Sequence, residues 1–217
     1  MKDGILGKIT LSNLNFIIKT PTNADGYAVL SWEKNHPERA EWSKFIFNKI
    51  DTLWHKLQQC QDIADFHSDY NTFTEEQQKS VWAELICNIC FHESSWENTC
   101  SVPEKSFKEL DSVTKQFVRS EGLMQLSYQD KKSYNFLPCD FDWDADKNLS
   151  VNDPSKTIFN SKYNLDFGIE ILANQIKNHK KIALTKAYGH FYWAVLISDG
   201  AFTKLPQIKI ALKSMTF

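Results

Sequence analysis

The segment from Thr74 to Ser94 constrains this chain more than any other. Val81, Trp82, Leu85, Ile86, Ile89, Cys90 and Phe91 recur at steps that cover nearly the whole circumference of a helix. A helix that is apolar all round belongs in the interior. Its start is marked: the Thr74 hydroxyl can cap the first turn while Gln77 reaches back, the reciprocal arrangement of a capping box. The apolar run from Val81 to Phe91 is about half the length needed to cross a hydrocarbon core and carries Glu84 and Asn88, so it reads as the central helix of a globular fold and not as a membrane span.

Other segments are arranged around it. From Pro37, which suits the first turn of a helix, Trp42, Phe45, Ile46, Ile50, Leu53, Trp54 and Leu57 line one face of a second helix. Leu165, Ile169, Leu172 and Ile176 form a stripe over about 164–178, and Tyr188–Ser198 and Leu205–Lys213 also read as helical. Residues 1–36 mix short apolar pieces with Pro21, Asn23, Asp25 and Gly26 and read as a strand-and-loop preamble to a domain spanning 37–217. Val113–Arg119 and Gly122–Leu126 read as two short extended pieces around a turn, followed by a helical turn after Tyr128 and an aspartate-rich loop from Asp140 to Pro154. The fold class expected is α+β, predominantly helical, with one small hairpin.

Composition removes several functions. Lys+Arg 25 against Asp+Glu 27 gives a formal charge of -2, without the clustered positive charge that binds phosphate backbones, so nucleic acid is not an expected partner. With 15 Phe, 7 Trp and 7 Tyr the chain can build a core without staples. Five cysteines, Cys60, Cys87, Cys90, Cys100 and Cys139, fit either a reducing compartment or one or two bridges. The amino terminus meets Lys8 after Ile5, Leu6 and Gly7, which is not the core of a secretory signal; export by another route or removal of the signal is expected.

Glu93 is the residue that most invites chemistry. It lies between Phe91, His92, Ser94, Ser95 and Trp96 at the end of the apolar helix. Burial there would raise its pKa and keep a proton for donation near neutral pH, as a general acid requires. Alone, the same residue reads equally as a solvated glutamate at a fraying helix end. About thirty residues further on lies Ser120-Glu121-Gly122-Leu123-Met124-Gln125-Leu126.

Glu-Ser near an aromatic, followed in that order by Gly-Leu-Met-Gln, resembles the signature of the soluble lytic transglycosylase and goose-type lysozyme family, over roughly Glu76 to Leu196. The resemblance implies a lysozyme-like fold that delivers Glu93 into a groove binding peptidoglycan glycan strands, with no cofactor. It implies that Glu93 protonates the oxygen leaving between N-acetylmuramic acid and N-acetylglucosamine and then acts as base. Ser94, Gly122, Met124 and Gln125 would bind substrate: Gln125 near the N-acetyl group, Gly122 letting the backbone approach the sugar, and Met124 walling the groove. A tyrosine, Tyr192 or Tyr188, would assist, although the family's Ala-Tyr-Asn-Xaa-Gly run is absent. Ser127 stands where goose-type lysozymes often carry an aspartate, which favours the lytic outcome; Glu121 or Asp130 could supply a second carboxylate for hydrolysis. The serine that often precedes the strand is Ser112 or Ser120. Action in the periplasm or the extracellular wall would follow.

Rival readings attach to other residues. Asp142, Asp144, Asp146, Asn148, Ser150 and Asp153 match ligand places of a calcium loop, but Lys147 stands where glycine is needed and a solvated acidic loop is the plainer reading. Cys87, Cys90, His92 and Cys100 can be written as a zinc set, and His92 and His190 as partners of Cys90 or Cys100 in a peptidase pair, but the cysteines read more simply as small core residues. From other functional classes come a glycan-binding module that has lost catalysis and an effector delivered to a rival cell.

Overall fold

The computed structural model describes residues 19–105, 108–189 and 191–217. Helix α1 (Ala40–Leu57) continues from a 3-10 turn opened by Pro37 and buries Ile46, Phe47, Ile50, Leu53, Trp54 and Leu57; Trp42 and Phe45 flank that stripe, half-buried. Helix α2 (Glu75–Ser94) is the central helix: every residue from Ser80 to Cys90 is buried. Its start is the expected capping box, with Gln77 N donating to Thr74 Oγ1 (3.4 Å) and Thr74 N donating to Gln77 Oε1 (2.9 Å).

The sheet is a two-stranded antiparallel pair, β1 (Ser101–Pro103) and β2 (Arg119–Glu121), with Val102 opposite Ser120. Short helices α3 (Asp130–Ser133) and α4 (Trp143–Asp146) precede α5 (Ser161–His179), which is capped by Asn160 and packs along α1; α6 (Leu205–Lys213) packs on α2. The chain is therefore α+β and mostly helical. Among the described residues no helix is long and apolar enough to cross a membrane. Of the expected preamble, residues 1–18 lie outside the described residues; Ala28, Leu30 and Trp32 are buried in the same core as α1 and α2.

Two expectations are corrected. Gly122–Leu126 is not a strand: it is a tight turn closed by Glu121 N to Leu126 O (2.7 Å) and Leu126 N to Glu121 O (2.9 Å). Gly122 (φ +77°) and Gln125 (φ +50°) take left-handed backbone that an extended strand excludes, and the apolar run looked like a strand because Leu123, Met124 and Leu126 are all fully buried. The other expected piece, Val113–Arg119, is mostly turn and gives only Arg119 to β2, whose partner strand comes from the polar segment upstream instead. Likewise Tyr188–Ser198 is not a helix: one 3-10 turn (Lys186–Tyr188) ends in it, at Gly189 with φ +69°, and a second (Ala194–Leu196) follows irregular residues 191–193; His190 lies outside the described residues.

Helix α5 carries Gly168 because Met124 presses on it: a Cβ there would meet Met124 Sδ at 2.3 Å and Met124 Cβ at 3.1 Å. Gly168→Ala is expected to destabilise the fold by about 1–3 kcal/mol through overpacking, measured as a shift of the urea midpoint at unchanged m-value.

Candidate active site

The C-terminal end of α2 is held to the Gly122–Leu126 turn by hydrogen bonds. Ser94 Oγ lies 2.9 Å from the carbonyls of both Cys90 and Leu123. Asn164, fully buried on α5, accepts from Met124 N (2.8 Å) and donates to the carbonyls of Glu121 and Ile158 (3.0 Å each). Trp193 Nε1 donates to Met124 O (2.9 Å) and ties the 191–194 segment to the same turn. α2, α5 and the last loop thus converge on one turn.

Beside it runs a groove of about 540 Å³, whose walls include Glu93, Glu104, Ser120, Gln125, Asp130 and Tyr192. A pit of only about 50 Å³ lies elsewhere, beside Glu121 and Lys156. Glu93, half-buried, is the penultimate residue of α2. Its carboxyl is pushed up from 4.5 to about 7, first by burial and then by the charge of Glu104. Among the described residues no group hydrogen-bonds it, and no Lys, Arg or His lines the groove. A carboxylate there lacks the compensation that would favour its charged form.

Glu104 was not singled out from the sequence. It follows β1, its N–H donates to Val118 O (2.9 Å), and its carboxylate accepts from Ser120 Oγ (2.6 Å). Only the β1–β2 pairing brings it opposite Glu93, and nothing in the polar run 97–112 announces that pairing. Of the two serines considered, Ser120 lines the groove and Ser112 does not.

The other expected residues divide. Gln125 lines the groove, with Nε2 donating to Gly122 O (2.8 Å). Tyr192 also lines it; its hydroxyl donates to Asp130 Oδ2, which also accepts from Ser127 N (2.6 Å). Burial, together with the Asp130 charge, holds the Tyr192 phenol well above its ordinary value, and burial raises Asp130 against the pull of these hydrogen bonds.

Four expectations need correction. Gly122 makes room not for a sugar but for Asn164, whose Nδ2 would lie 2.2 Å from a Cβ at that position. Met124 is core packing against Gly168, with no exposed surface. Ser94 is buried and its hydroxyl serves the two carbonyls named above. Tyr188 is exposed and lies edge-on against His179, outside the groove. Of the two residues considered as the second carboxylate, Glu121 is buried in an ion pair with Lys156 and lines the small pit, whereas Asp130 is in the groove wall but engaged by Tyr192.

The acidic loop does not converge as a calcium site would. Asp146 turns inward to accept from Tyr128 OH (2.6 Å) and Thr157 Oγ1 (2.6 Å), Asp144 pairs with Lys147, and Asp153 caps Ser155. Cys87 and Cys90 sit in the core of α2 away from a shared knuckle, and all five cysteines are free. Burial pushes the Cys90 and Cys100 thiols up, the opposite of what an activated nucleophile needs.

No known family profile matches the chain, and no curated protein does. Among solved structures the chain is similar to DslA (Bd0314) of Bdellovibrio in its wild-type form, at 20% identity and TM-score 0.66 over 87% of this chain and 96% of that one. Two single glutamate-to-glutamine variants of DslA also match, at 21% identity: one with TM-score 0.66 over 87% and 96% of the two chains, the other with 0.64 over 85% and 96%. The likeness is one of fold.

Two outcomes follow from this geometry. The folded chain keeps a proton on Glu93 between about pH 4.5 and 7 that the unfolded chain gives up, so this group's contribution to stability is lost as pH rises through that window. Glu93→Gln should therefore gain stability relative to the native chain as the pH is raised from about 4 to about 8, read from urea midpoints. Asn164→Ala leaves Met124 N and the Ile158 carbonyl without their side-chain partner and removes one of two donors to the Glu121 carbonyl, and should cost about 2 kcal/mol or more, checked in the same assay.

Proposed function

We propose that this chain is a muramidase-type glycosidase that cleaves the β-1,4 bond between N-acetylmuramic acid and N-acetylglucosamine in peptidoglycan, with Glu93 as general acid. The observation that carries the reading is a half-buried carboxyl group in the wall of an open groove, pushed up to about 7 by its burial, at the end of a helix buried from Ser80 to Cys90. A half-protonated acid at neutral pH both holds its proton and can give it up.

In this reading Glu93 passes its proton to the glycosidic oxygen as the bond to the anomeric carbon breaks. Positive charge develops on the sugar within a groove whose other carboxyl groups, Glu104 and Asp130, favour it electrostatically. Gln125 offers its amide to the substrate's N-acetyl group, and Tyr192, locked on Asp130, forms a fixed wall beside it. The intermediate is then closed in one of two ways. The muramyl 6-hydroxyl can add and return its proton to Glu93, which leaves an anhydro end; or water can add, its proton taken by a second carboxylate.

Ser127 argued for the first. Glu104 supplies a specific reason for the second, because it stands in the same groove and is oriented by Ser120. The two glutamates substituted in the DslA variants are eleven positions apart, the separation of Glu93 and Glu104 in this chain, which supports a site built on both. A peptidoglycan substrate entails action at the bacterial wall, in the periplasm or outside the cell.

Digestion of purified peptidoglycan tests this directly. Glu93→Gln should lower fragment release by about 10²–10⁴-fold, and equal release by both chains would remove the acid assignment. Glu104→Gln separates the two closures: a large loss with reducing-end products from the native chain identifies water addition, whereas products one water lighter, released at a rate little changed by Glu104→Gln, identify anhydro closure.

A further inference from the structure

A cleft of about 640 Å³, sharing no lining residue with the groove, opens where the start of α1, the segment after α2 and the loop leading into α5 meet. Its walls include Glu41 and Trp42 from the first, Asn98 from the second, and Ser161, Lys162 and Tyr163 from the third. Trp42 is held by an edge contact with Trp32 (5.4 Å between ring centroids) and by the Arg39 guanidinium over its ring (5.2 Å). Its indole N–H and the hydroxyls of Ser161 and Tyr163 have no hydrogen-bond partner among the described residues. Asn98 donates to Phe159 O at 3.4 Å and keeps its Oδ1 free. Glu41 and Lys162 are exposed, and neither is ion-paired with the other or with any other described residue. Lys162 lies in the first turn of α5, which holds no acidic residue and where the helix dipole disfavours a cation. A carboxylate arriving from outside would relieve it.

We propose that this cleft binds a short peptide carrying a free amine and a free carboxylate, the amine set against Glu41 and the carboxylate against Lys162. The site goes beyond the glycosidase reading and does not depend on it. Alongside the two charges, Asn98, Ser161 and Tyr163 offer unused donors and acceptors, which the main-chain amides of a bound peptide require. Trp42 presents an aromatic surface for an aliphatic side chain, and the volume is in the range of small-ligand sites. An anion alone would meet Lys162 but face the charge of Glu41, and a neutral ligand would use neither. Only a ligand with both charges is matched by the whole cleft.

Titration of the native chain with three peptides, followed by calorimetry and NMR, tests the proposal. Trialanine has both charges; N-acetyl-trialanine lacks the amine and trialanine amide lacks the carboxylate. Trialanine should bind most tightly, with each blocked form weaker by about twofold to fivefold, the effect of one solvent-exposed ion pair. Glu41→Gln should remove the difference between trialanine and its N-acetyl form while keeping the difference from the amide. Lys162→Gln should do the converse. Both side chains are exposed, so the variants keep the fold. The indole N–H resonance of Trp42 should shift on binding, which places the peptide in the cleft. No binding at millimolar peptide, equal affinity for all three forms, or tighter binding of N-acetyl-trialanine than of trialanine would each overturn the proposal. So would charge preferences that survive both substitutions, or binding that leaves the Trp42 resonance unmoved. None of the probes contains a sugar, so these outcomes are independent of whether Glu93 cleaves peptidoglycan.

Discussion

The site depends on one side chain that never touches it. Asn164 reaches from α5 into the Gly122–Leu126 turn and satisfies three backbone groups at once. That turn is buried, so its N–H and carbonyl groups cannot fall back on water. Glycine is required at position 122 because the amide of Asn164 occupies the volume a side chain would need. Ser94 completes the arrangement by joining the end of α2 to the carbonyl of Leu123. The position of Glu93 relative to Gln125 is thus fixed through buried hydrogen bonds of short reach, the kind of support that holds a reacting group within a fraction of an ångström.

The same fixing makes a costly charge tolerable. Glu93, Glu104 and Asp130 share a groove whose lining contains no cation among the described residues, and like charges in a partly dry cleft repel. Each carboxyl meets this differently. Asp130 takes hydrogen bonds from Tyr192 and Ser127 N–H, and Glu104 takes one from Ser120. Glu121, one strand position away, is removed from the groove altogether by Lys156. Glu93 has no such hydrogen bond among the described residues, and burial beside the Glu104 charge pushes its carboxyl up to about 7. Different environments for chemically similar groups separate an acid from its neighbours.

How much of this was legible in the sequence follows from the range of the interactions involved. The central helix and its capping box could be read because both are written in consecutive residues: an apolar circumference from Val81 to Phe91 and a Thr74–Gln77 reciprocity three residues apart. The stripe of α5 and the span of α6 were legible for the same reason. The Gly122–Leu126 turn was misread because a fully buried turn and a short buried strand present the same apolar run. The choice between Tyr192 and Tyr188 stays open in the sequence, since the break at Gly189 determines which ring enters the groove and a helical pattern gives no sign of that break.

Glu104 shows where local reading stops. Nothing around it, in a polar stretch with Pro103 before it and Lys105 after it, distinguishes it from a surface glutamate. Its significance comes from a strand pair only three residues long, in which Val102 meets Ser120 and the chain then delivers Glu104 alongside the Ser120 hydroxyl. Ser120 in turn precedes the turn that Asn164 holds. The second carboxylate of the groove is therefore positioned by the same buried network as the first, approached from the opposite side, and a change that loosens the turn acts on both carboxylates together. In this fold the turn after β2 is the shared anchor that fixes the separation of the two carboxyl groups.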